Sequence, residues 1–332
     1  MKLLIIRFSS IGDIVLTTPV VRALKQQLGA EVHYLTKRAF RGIVEPNPNI
    51  DKVYAIEKKV SEVMADLKKE DYSHVIDLHN NLRSAQVKWG LKARAYSFDK
   101  INREKWLMVN LKVDRLPDVH IVHRYMAAAE PLGVQYDGLG LDYFIPPEDE
   151  VRVGNLLATN VLAPQQEVPR YIAFAIGAAH NTKRLPAEKI ISICRQAGMP
   201  VLLLGGPGEA GEGQQIADAA GGQALNMCGL FNLNQSASIV RQAYKVISHD
   251  TGLMHIAAAF GKDILSVWGN TIPEFGMSPF YPEGVDRNTA FEVRGLSCRP
   301  CSKIGFQECP KGHFRCMRDI SEEEMVKELQ DI

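Results

Sequence analysis

The markers of several large functional classes are missing from this 332-residue chain. The loop after the first apolar run, Phe8-Ser9-Ser10-Ile11-Gly12-Asp13, has neither the G-x-G-x-x-G spacing of a dinucleotide fold nor the G-x-x-x-x-G-K-[ST] of a P-loop. Charge of one sign is lacking too: 39 Lys and Arg against 38 Asp and Glu leave a net charge of +1, which removes any bulk electrostatic case for a nucleic-acid binder. No apolar run approaches the roughly 20 residues that span a bilayer. Met1–Arg7 has neither the length nor the cleavage site of a signal peptide, so the expected address is the cytoplasm. Cysteine is sparse, at six residues, and four of them crowd between Cys298 and Cys316. In a reducing compartment such a cluster reads as a metal site or as buried thiols before it reads as disulfides.

What is present is an ordinary globular composition, 46% hydrophobic and 23% charged, at a length that favours two domains. Residues 3–6 are an apolar strand, followed by a small-residue loop and a helical pattern from Ile14 to Leu28. Strands at 31–35, 52–55 and 74–78 alternate with helical segments, which predicts an α/β domain with a parallel sheet. His120–Leu132 reads as helix and Gly133–Pro147 as the domain boundary. A helix is expected over Asp149–Thr159, leading to the Pro-containing stretch Ala163–Pro169. The second half repeats the architecture, with strands at 171–176, 200–204, 244–247 and 262–267. Its loops 177–184, 205–212, 249–255 and 268–271 fall at carboxyl ends of strands and are expected to face a common crevice.

The densest set of polar groups is Ser248-His249-Asp250-Thr251-Gly252-Leu253-Met254-His255, between a buried strand and a helix of small residues. Gly252 permits close approach of a ligand, and a helix N-terminus offers unpaired N–H groups to a phosphate. The alternative is a capped helix with a buried histidine. Asp13 stands as a lone carboxylate at the mouth of the first domain, and its alternative is a first-turn acid that the helix dipole favours anyway.

Ser9-Ser10-Ile11-Gly12-Asp13, Lys183-Arg184-Leu185-Pro186, Leu204-Gly205-Gly206-Pro207 and Asp250-Thr251-Gly252-Leu253-Met254-His255-Ile256-Ala257-Ala258-Ala259 together resemble glycosyltransferase family 9, the ADP-heptose:lipopolysaccharide heptosyltransferases. The resemblance implies a GT-B fold, two facing Rossmann-like domains with parallel sheets: residues 1–148 for the acceptor, 149–318 for the nucleotide-sugar, and 319–332 as a terminal helix that can return to the first domain. It implies an inverting, metal-independent transfer of heptose from ADP-heptose to an inner-core sugar of lipopolysaccharide, with no cofactor required for catalysis. By the same resemblance Asp13 is the general base and Lys183 contacts the diphosphate. The donor is expected to meet Thr182, Gly206, Asp250, Thr251, Gly252, Leu253 and His255, with either Glu209 or Glu212 on the ribose.

Ser10, Gly12, Lys37, Arg38, Arg41, Arg83 and Arg124 are the candidates for an anionic acceptor. Cys298, Cys301, Cys309 and Cys316, with His313 among them, have ligand types suited to a structural zinc, and buried free thiols are the alternative. The expected partners are ADP-heptose or a related nucleotide-sugar and a lipid-anchored lipopolysaccharide core, met at the inner face of the cytoplasmic membrane without spanning it. Two other readings stand beside this one: transfer of a different nucleotide-activated sugar to a surface glycan, and a GT-B module that binds a nucleotide-sugar without turning it over.

Overall fold

The computed structural model describes residues 1–158 and 169–331. The chain forms two compact units. The first comprises Met1–Asn102, Pro117–Phe144 and Phe280–Val285; the second comprises Arg103–Leu116, Ile145–Pro279 and Asp286–Ile332.

In unit 1 the strands are β1 (Lys2–Ile6), β2 (Glu31–Lys37), β3 (Lys52–Ile56), β4 (His74–Asp77) and β5 (Arg94–Ser97), in the order β3-β2-β1-β4-β5. Every pairing is parallel, with Ile6 opposite Leu35 on one side and Asp77 on the other. A central parallel strand is covered on both faces, which is why Leu3–Ile6 is an unbroken apolar run with every side chain fully buried. Strand order reverses between β1 and β4, so the crevice of this sheet opens beyond the carboxyl end of β1. Arg7 to Asp13 occupy that position.

Unit 2 carries β6 (Ile172–Ala175), β7 (Val201–Leu204), β8 (Ala224–Asn226), β9 (Lys245–His249), β10 (Asp263–Trp268) and β11 (Asn288–Glu292) in the order β11-β10-β9-β6-β7-β8, again all parallel. Here the order reverses between β6 and β9. The loops after those two strands carry Lys183 and Asp250.

The helices are α1 (Ile11–Val15), α2 (Thr18–Leu28), α3 (Arg41–Val44), α4 (Met64–Lys69), α5 (Leu82–Leu91), α6 (Asn102–Leu111), α7 (Ile121–Ala127), α8 (Val153–Ala158), α9 (Ala187–Gln196), α10 (Ala210–Ala219), α11 (Leu233–Gln242), α12 (Gly252–Ala259), α13 (Arg315–Arg318) and α14 (Glu322–Gln330). The single helix expected over Ile14–Leu28 is two. Pro19 lacks an N–H, and the Thr17 and Thr18 hydroxyls donate back to the Ile14 and Val15 carbonyls at 2.7 and 2.8 Å, taking over where the ladder breaks. Thr159, the expected end of α8, lies outside the described residues, as does 163–168 of the Pro-containing stretch.

Expectations about the division of the chain need correction. Residues 103–116, including most of α6, and 145–148 belong with unit 2, and 280–285 belong with unit 1. The terminal helix stays in unit 2 as well: Met325 and Leu329 of α14 enter the core formed with Ile190, Ile193 and Cys194 of α9, and Glu322 pairs with Lys189 at 2.9 Å. An amphipathic helix buries its apolar stripe where a matching stripe exists, and α9 presents one.

Candidate active-site residues in the two units

In unit 1 the chain leaves β1 through Arg7 and Phe8 and turns into α1 at Ser10. Asp13 sits in the first turn, where its Oδ2 accepts from the Ser10 backbone N–H at 3.1 Å and from the Ser10 hydroxyl at 2.7 Å. Its Oδ1 faces Arg7 Nη2 at 2.6 Å and the Tyr125 hydroxyl at 3.4 Å. Arg7 is itself fixed, donating from Nε to the Ser9 carbonyl and from Nη1 to the Leu78 carbonyl at 2.7 and 2.5 Å. Burial alone would raise the Asp13 pKa, but the Arg7 charge and the Ser10 hydrogen bonds outweigh it, so the carboxyl is held below its ordinary range. Asp13 is therefore a first-turn acid and also an ionised carboxylate, with its side chain 19% exposed.

Around it lie two of the expected acceptor residues, Arg83 and Arg124, and two groups that sequence reasoning assigned no role, His79 and Asp77. The His79 ring meets Phe8 edge-on at 5.2 Å, and burial with the charges of Arg7 and Lys100 pushes its pKa down to about 4, so it is neutral at physiological pH. Arg83 lies over the Phe8 ring at 5.5 Å. Arg124 is buried beside Tyr125, and burial lowers its pKa from the usual guanidinium value. Asp77, fully buried, ties down the loop by accepting from the N–H groups of His79 and Asn80 and from the Ser84 hydroxyl.

Of the other expected acceptor residues, Gly12 is buried in α1 and Lys37 donates its backbone N–H to the Phe8 carbonyl. Arg38 and Arg41 form exposed ion pairs with Glu57 and Glu45 at 2.6 and 2.7 Å. Such surface pairs contribute about 0–1 kcal/mol and release their partners readily.

In unit 2, Lys183 Nζ contacts Asp250 Oδ2 at 2.5 Å and the Asp250 carbonyl at 3.4 Å, and the Thr271 hydroxyl donates to the same Oδ2 at 3.0 Å. Gly252 begins α12. Its N-cap, Thr251, makes no side-chain capping bond, so the first-turn N–H groups are left to another acceptor. Leu253 follows in the first turn, and His255 is buried within the helix.

His249 accepts the Leu185 N–H on Nε2 at 2.9 Å, which puts its proton on Nδ1; burial holds its pKa at about 3. It is a neutral core histidine, and it anchors the segment that carries Lys183 and Arg184.

Thr182, expected to offer a hydroxyl to the diphosphate, does something else. It is buried, its Oγ1 accepts the Phe306 N–H at 2.8 Å and stands 3.0 Å from both Asn270 Oδ1 and the Phe306 carbonyl. The cysteine-rich segment thus clasps the Lys183 loop from behind. Arg299 of the same segment, paired with Glu292 at 2.6 Å, donates to the Gly269 and Thr271 carbonyls at 2.6 and 2.9 Å.

Glu209 and Glu212 differ in their surroundings. Glu209 Oε1 takes Arg184 Nη2 at 2.6 Å and Oε2 takes the Gly206 N–H at 2.8 Å, while Glu212 stands 3.7 Å from Arg184 and is more exposed. A Cβ on Gly177 or Gly205 would come within 3.1 or 2.9 Å of the Glu209 side chain, so the two glycines make its recess.

The run Gly206-Pro207-Gly208-Glu209-Ala210-Gly211 after β7 does carry the G-x-G-x-x-G spacing that is missing after β1. A Cβ on Gly208 or Gly211 would meet nothing within 4 Å, so Gly211 does not serve the close helix–strand packing for which that fingerprint reserves its third glycine.

The four clustered thiols are free cysteines. Cys298 Sγ lies 3.7 Å from His313 Nε2, and the Cys316 thiol is pushed up to about 12 by burial and by the neighbouring Cys301 and Cys309. Among the described residues, the trio of potential ligand atoms lying within 4.8 Å of one another is a different one, Glu31, His33 and Glu70. Lys2 and Lys52 already hold Glu70 at 2.7 and 2.5 Å at the amino ends of the strands, so that trio is an ion-pair network.

The comparisons with known proteins bear on the whole arrangement. The family model for glycosyltransferase family 9 (heptosyltransferase) matches residues 60–307. The chain belongs to glycosyltransferase family 9. It is 24% identical to lipopolysaccharide heptosyltransferase 1 of Campylobacter coli over 100% of this chain and 99% of that protein. Among solved structures it is similar to the family 9 glycosyl transferase of Veillonella parvula, with a TM-score of 0.77, 23% identity and coverage of 98% and 95%. The Escherichia coli ADP-heptose lipopolysaccharide heptosyltransferase II matches with a TM-score of 0.72, 19% identity and coverage of 99% and 97%. This family 9 enzyme is a glycosyltransferase with the two-sheet GT-B fold.

Proposed function

We propose that the enzyme transfers a heptose from ADP-heptose to an inner-core sugar of lipopolysaccharide, with inversion and without a metal at the reacting centre. The observation that carries this reading is the pairing at the two switch points: an ionised, partly exposed carboxylate in unit 1 and an ammonium beside an uncapped helix N-terminus in unit 2. Inversion by single displacement needs one base on the acceptor hydroxyl and positive charge on the departing diphosphate. Asp13 supplies the base. Lys183 has three N–H donors and can keep Asp250 while giving one to a phosphate oxygen. The first-turn N–H groups of α12 supply the rest.

Glu209, held in place on both oxygens, is the acid that meets the adenosine ribose. Arg83 and Arg124, beside Phe8 and Tyr125, are the groups that would hold an anionic acceptor. Transfer requires the two half-sites to meet on one sugar. The names of the relatives, lipopolysaccharide heptosyltransferase and ADP-heptose heptosyltransferase, support the donor and acceptor. Among the described residues no helix is long and apolar enough to cross a membrane. The reading places the enzyme in the cytoplasm, meeting a lipid-anchored acceptor at the membrane surface.

The purified enzyme should be offered ADP- and UDP-sugars with truncated lipopolysaccharide. ADP-heptose is expected to give the product of highest yield, and a UDP-sugar preference would favour the other surface-glycan reading. Binding of ADP-heptose without any product would favour the non-catalytic module.

We further read the Cys298–Cys316 segment as a structural zinc site that a bound ion would have to draw together, since among the described residues no three of its Cys and His ligand atoms lie within 4.8 Å of one another. Zinc is expected at one per chain by elemental analysis. Chelation should lower the melting temperature while transfer continues in the surviving fold; loss of transfer with the fold intact would contradict metal-independence.

A further inference from the structure

Helix α5 turns two large apolar side chains to solvent. Leu82 is 84% exposed and Trp89 76%, the two highest values among the large hydrophobic residues of the described chain. Seven residues apart, they share one face of the helix, with exposed Gln86 between them. The opposite face is the buried one, through Ser84 and Val87, and Gly90 lies so close to Met64 of α4 that a Cβ there would come within 2.8 Å of the Met64 side chain. The exposed stripe is thus not a core face that slipped its partner.

The segment's own charge has one sign. From residue 78 to residue 98 the chain has Arg83, Lys88, Lys92 and Arg94 and no Asp or Glu. Lys88 is already taken by buried Asp77 at 2.8 Å. Arg83 and Arg94 lie over the Phe8 and Tyr96 rings, Lys92 is exposed, and among the described residues none of these three has an ion pair.

We propose that this face of α5 is the surface on which unit 1 meets an anionic phospholipid bilayer. Leucine and tryptophan followed by the unpaired cations Lys92 and Arg94 suit a headgroup layer, where the ring and the aliphatic chain enter the acyl boundary and the cations meet lipid phosphates. The helix also starts beside the Asp13 loop, since Arg83 in its first turn lies on Phe8, so a bilayer on this face presents its lipid headgroups next to the mouth of unit 1. The inference deepens the lipid-anchored acceptor of the proposed function and rests on it for its purpose, although the binding itself can be measured without any acceptor.

The test uses the full-length enzyme and acceptor-free vesicles of phosphatidylethanolamine with phosphatidylglycerol, against phosphatidylcholine alone, in a sedimentation assay. Wild-type enzyme is expected to partition at least tenfold more to the anionic vesicles. Leu82→Ser/Trp89→Ser and Lys92→Glu/Arg94→Glu should each weaken that binding about tenfold with an unchanged melting temperature. In a Trp106→Phe background the emission should shift to the blue on adding anionic vesicles. Both double variants should glycosylate a delipidated, soluble acceptor at the wild-type rate and a vesicle-embedded acceptor more slowly.

Equal partitioning of variants and wild type overturns the proposal, as does binding indifferent to headgroup charge. It is also overturned if wild-type enzyme ignores vesicles but forms a concentration-dependent dimer that the variants abolish, which would assign the face to a second copy of the chain. If wild-type enzyme binds anionic vesicles through α5 yet transfers nothing from ADP-heptose to the soluble acceptor, the proposed activity fails and the docking surface stands.

Discussion

In unit 1 the buried member of the ion pair is the cation: the Arg7 side chain is 9% exposed and that of Asp13 19%. In unit 2 the two members, Lys183 at 15% and Asp250 at 12%, are about equally accessible. The residue types follow the difference. Arginine's fork reaches Asp13 and two backbone carbonyls in fixed directions, which suits a holder. Lysine's compact ammonium on a flexible stem can share its donors between Asp250 and an incoming phosphate, which suits a group that must respond to a ligand. The comparison teaches that the same pairing of opposite charges is used in two senses. On the proposed function, the cation of the first unit positions the carboxylate that acts as base, and in the second unit a carboxylate and Thr271 position the cation that meets the diphosphate.

The largest effect should come from removing the working carboxylate. Asp13→Asn keeps the shape and the Ser10 contact and is expected to lower kcat by roughly two to four decades, as for loss of a general base, with ADP affinity unchanged by calorimetry. Unchanged turnover would end the comparison, because Asp13 would then be only a first-turn acid. Lys183→Ala should instead weaken ADP binding roughly 10- to 100-fold, about 1.4–2.7 kcal/mol. It also leaves Asp250 in a half-buried site without its cation, so Lys183→Ala/Asp250→Asn should recover part of any lost thermal stability without recovering ADP affinity. Equal affinity of Lys183→Ala and wild type for ADP would show that α12 alone binds the anion.

These assignments also show what the sequence carries openly. Both sheets and the loops that hold the two pairs were legible because buried parallel strands are continuous apolar runs, and Leu3–Ile6 and Val201–Leu204 leave no other reading. The edge strand β3 was legible at 52–55, but the other edges were not: β5 has no buried residue and β8 and β11 have one each, so there is no apolar pattern to see. Helix α5 was missed for a related reason, since its Leu82 and Trp89 face outward and leave no apolar stripe toward the core.

Within the site, Arg7 could have been recognised. A guanidinium ending a fully apolar strand is buried and must find a carboxylate, and Asp13 is the one on the adjoining turn. Thr182 could not, because its hydroxyl is spent on Phe306, 124 residues away. The same distance hides the link between the cysteine segment and the Lys183 loop.

A sharper test of the first pair follows from its electrostatics. Burial raises the Asp13 pKa and Arg7 with Ser10 lowers it further than burial raises it, so the folded value lies below the ordinary one. The base form therefore persists into acid, and the stability contributed by this carboxylate is present above its unfolded pKa and lost as pH falls through the folded value. Arg7→Met leaves burial as the dominant influence. The acid limb of the kcat/KM profile should move to higher pH, and misplacement of the carboxylate should cost about tenfold at the plateau. A profile that keeps its acid limb while activity falls would make Arg7 a packing residue only.

The smallest effects should separate the two acids of unit 2. Glu209 is fixed on both oxygens and walled by Gly177 and Gly205, so a ribose hydroxyl binding it meets an acceptor already in place. Glu209→Gln keeps the shape, gives up the charge on Arg184, and is expected to weaken ADP binding about 2- to 10-fold, the size of one hydrogen bond. Glu212, at 3.7 Å from Arg184 and more exposed, should change affinity no more than about twofold when made Gln, as an exposed ion pair does. The difference should vanish with a diphosphate that has no ribose, because both acids are then far from any ligand atom while Lys183 still acts. If Glu209→Gln weakens pyrophosphate as much as it weakens ADP, Glu209 acts through Arg184 on the anion. The second unit would then hold a second cation positioned by a carboxylate, on the same pattern as Lys183 and Asp250.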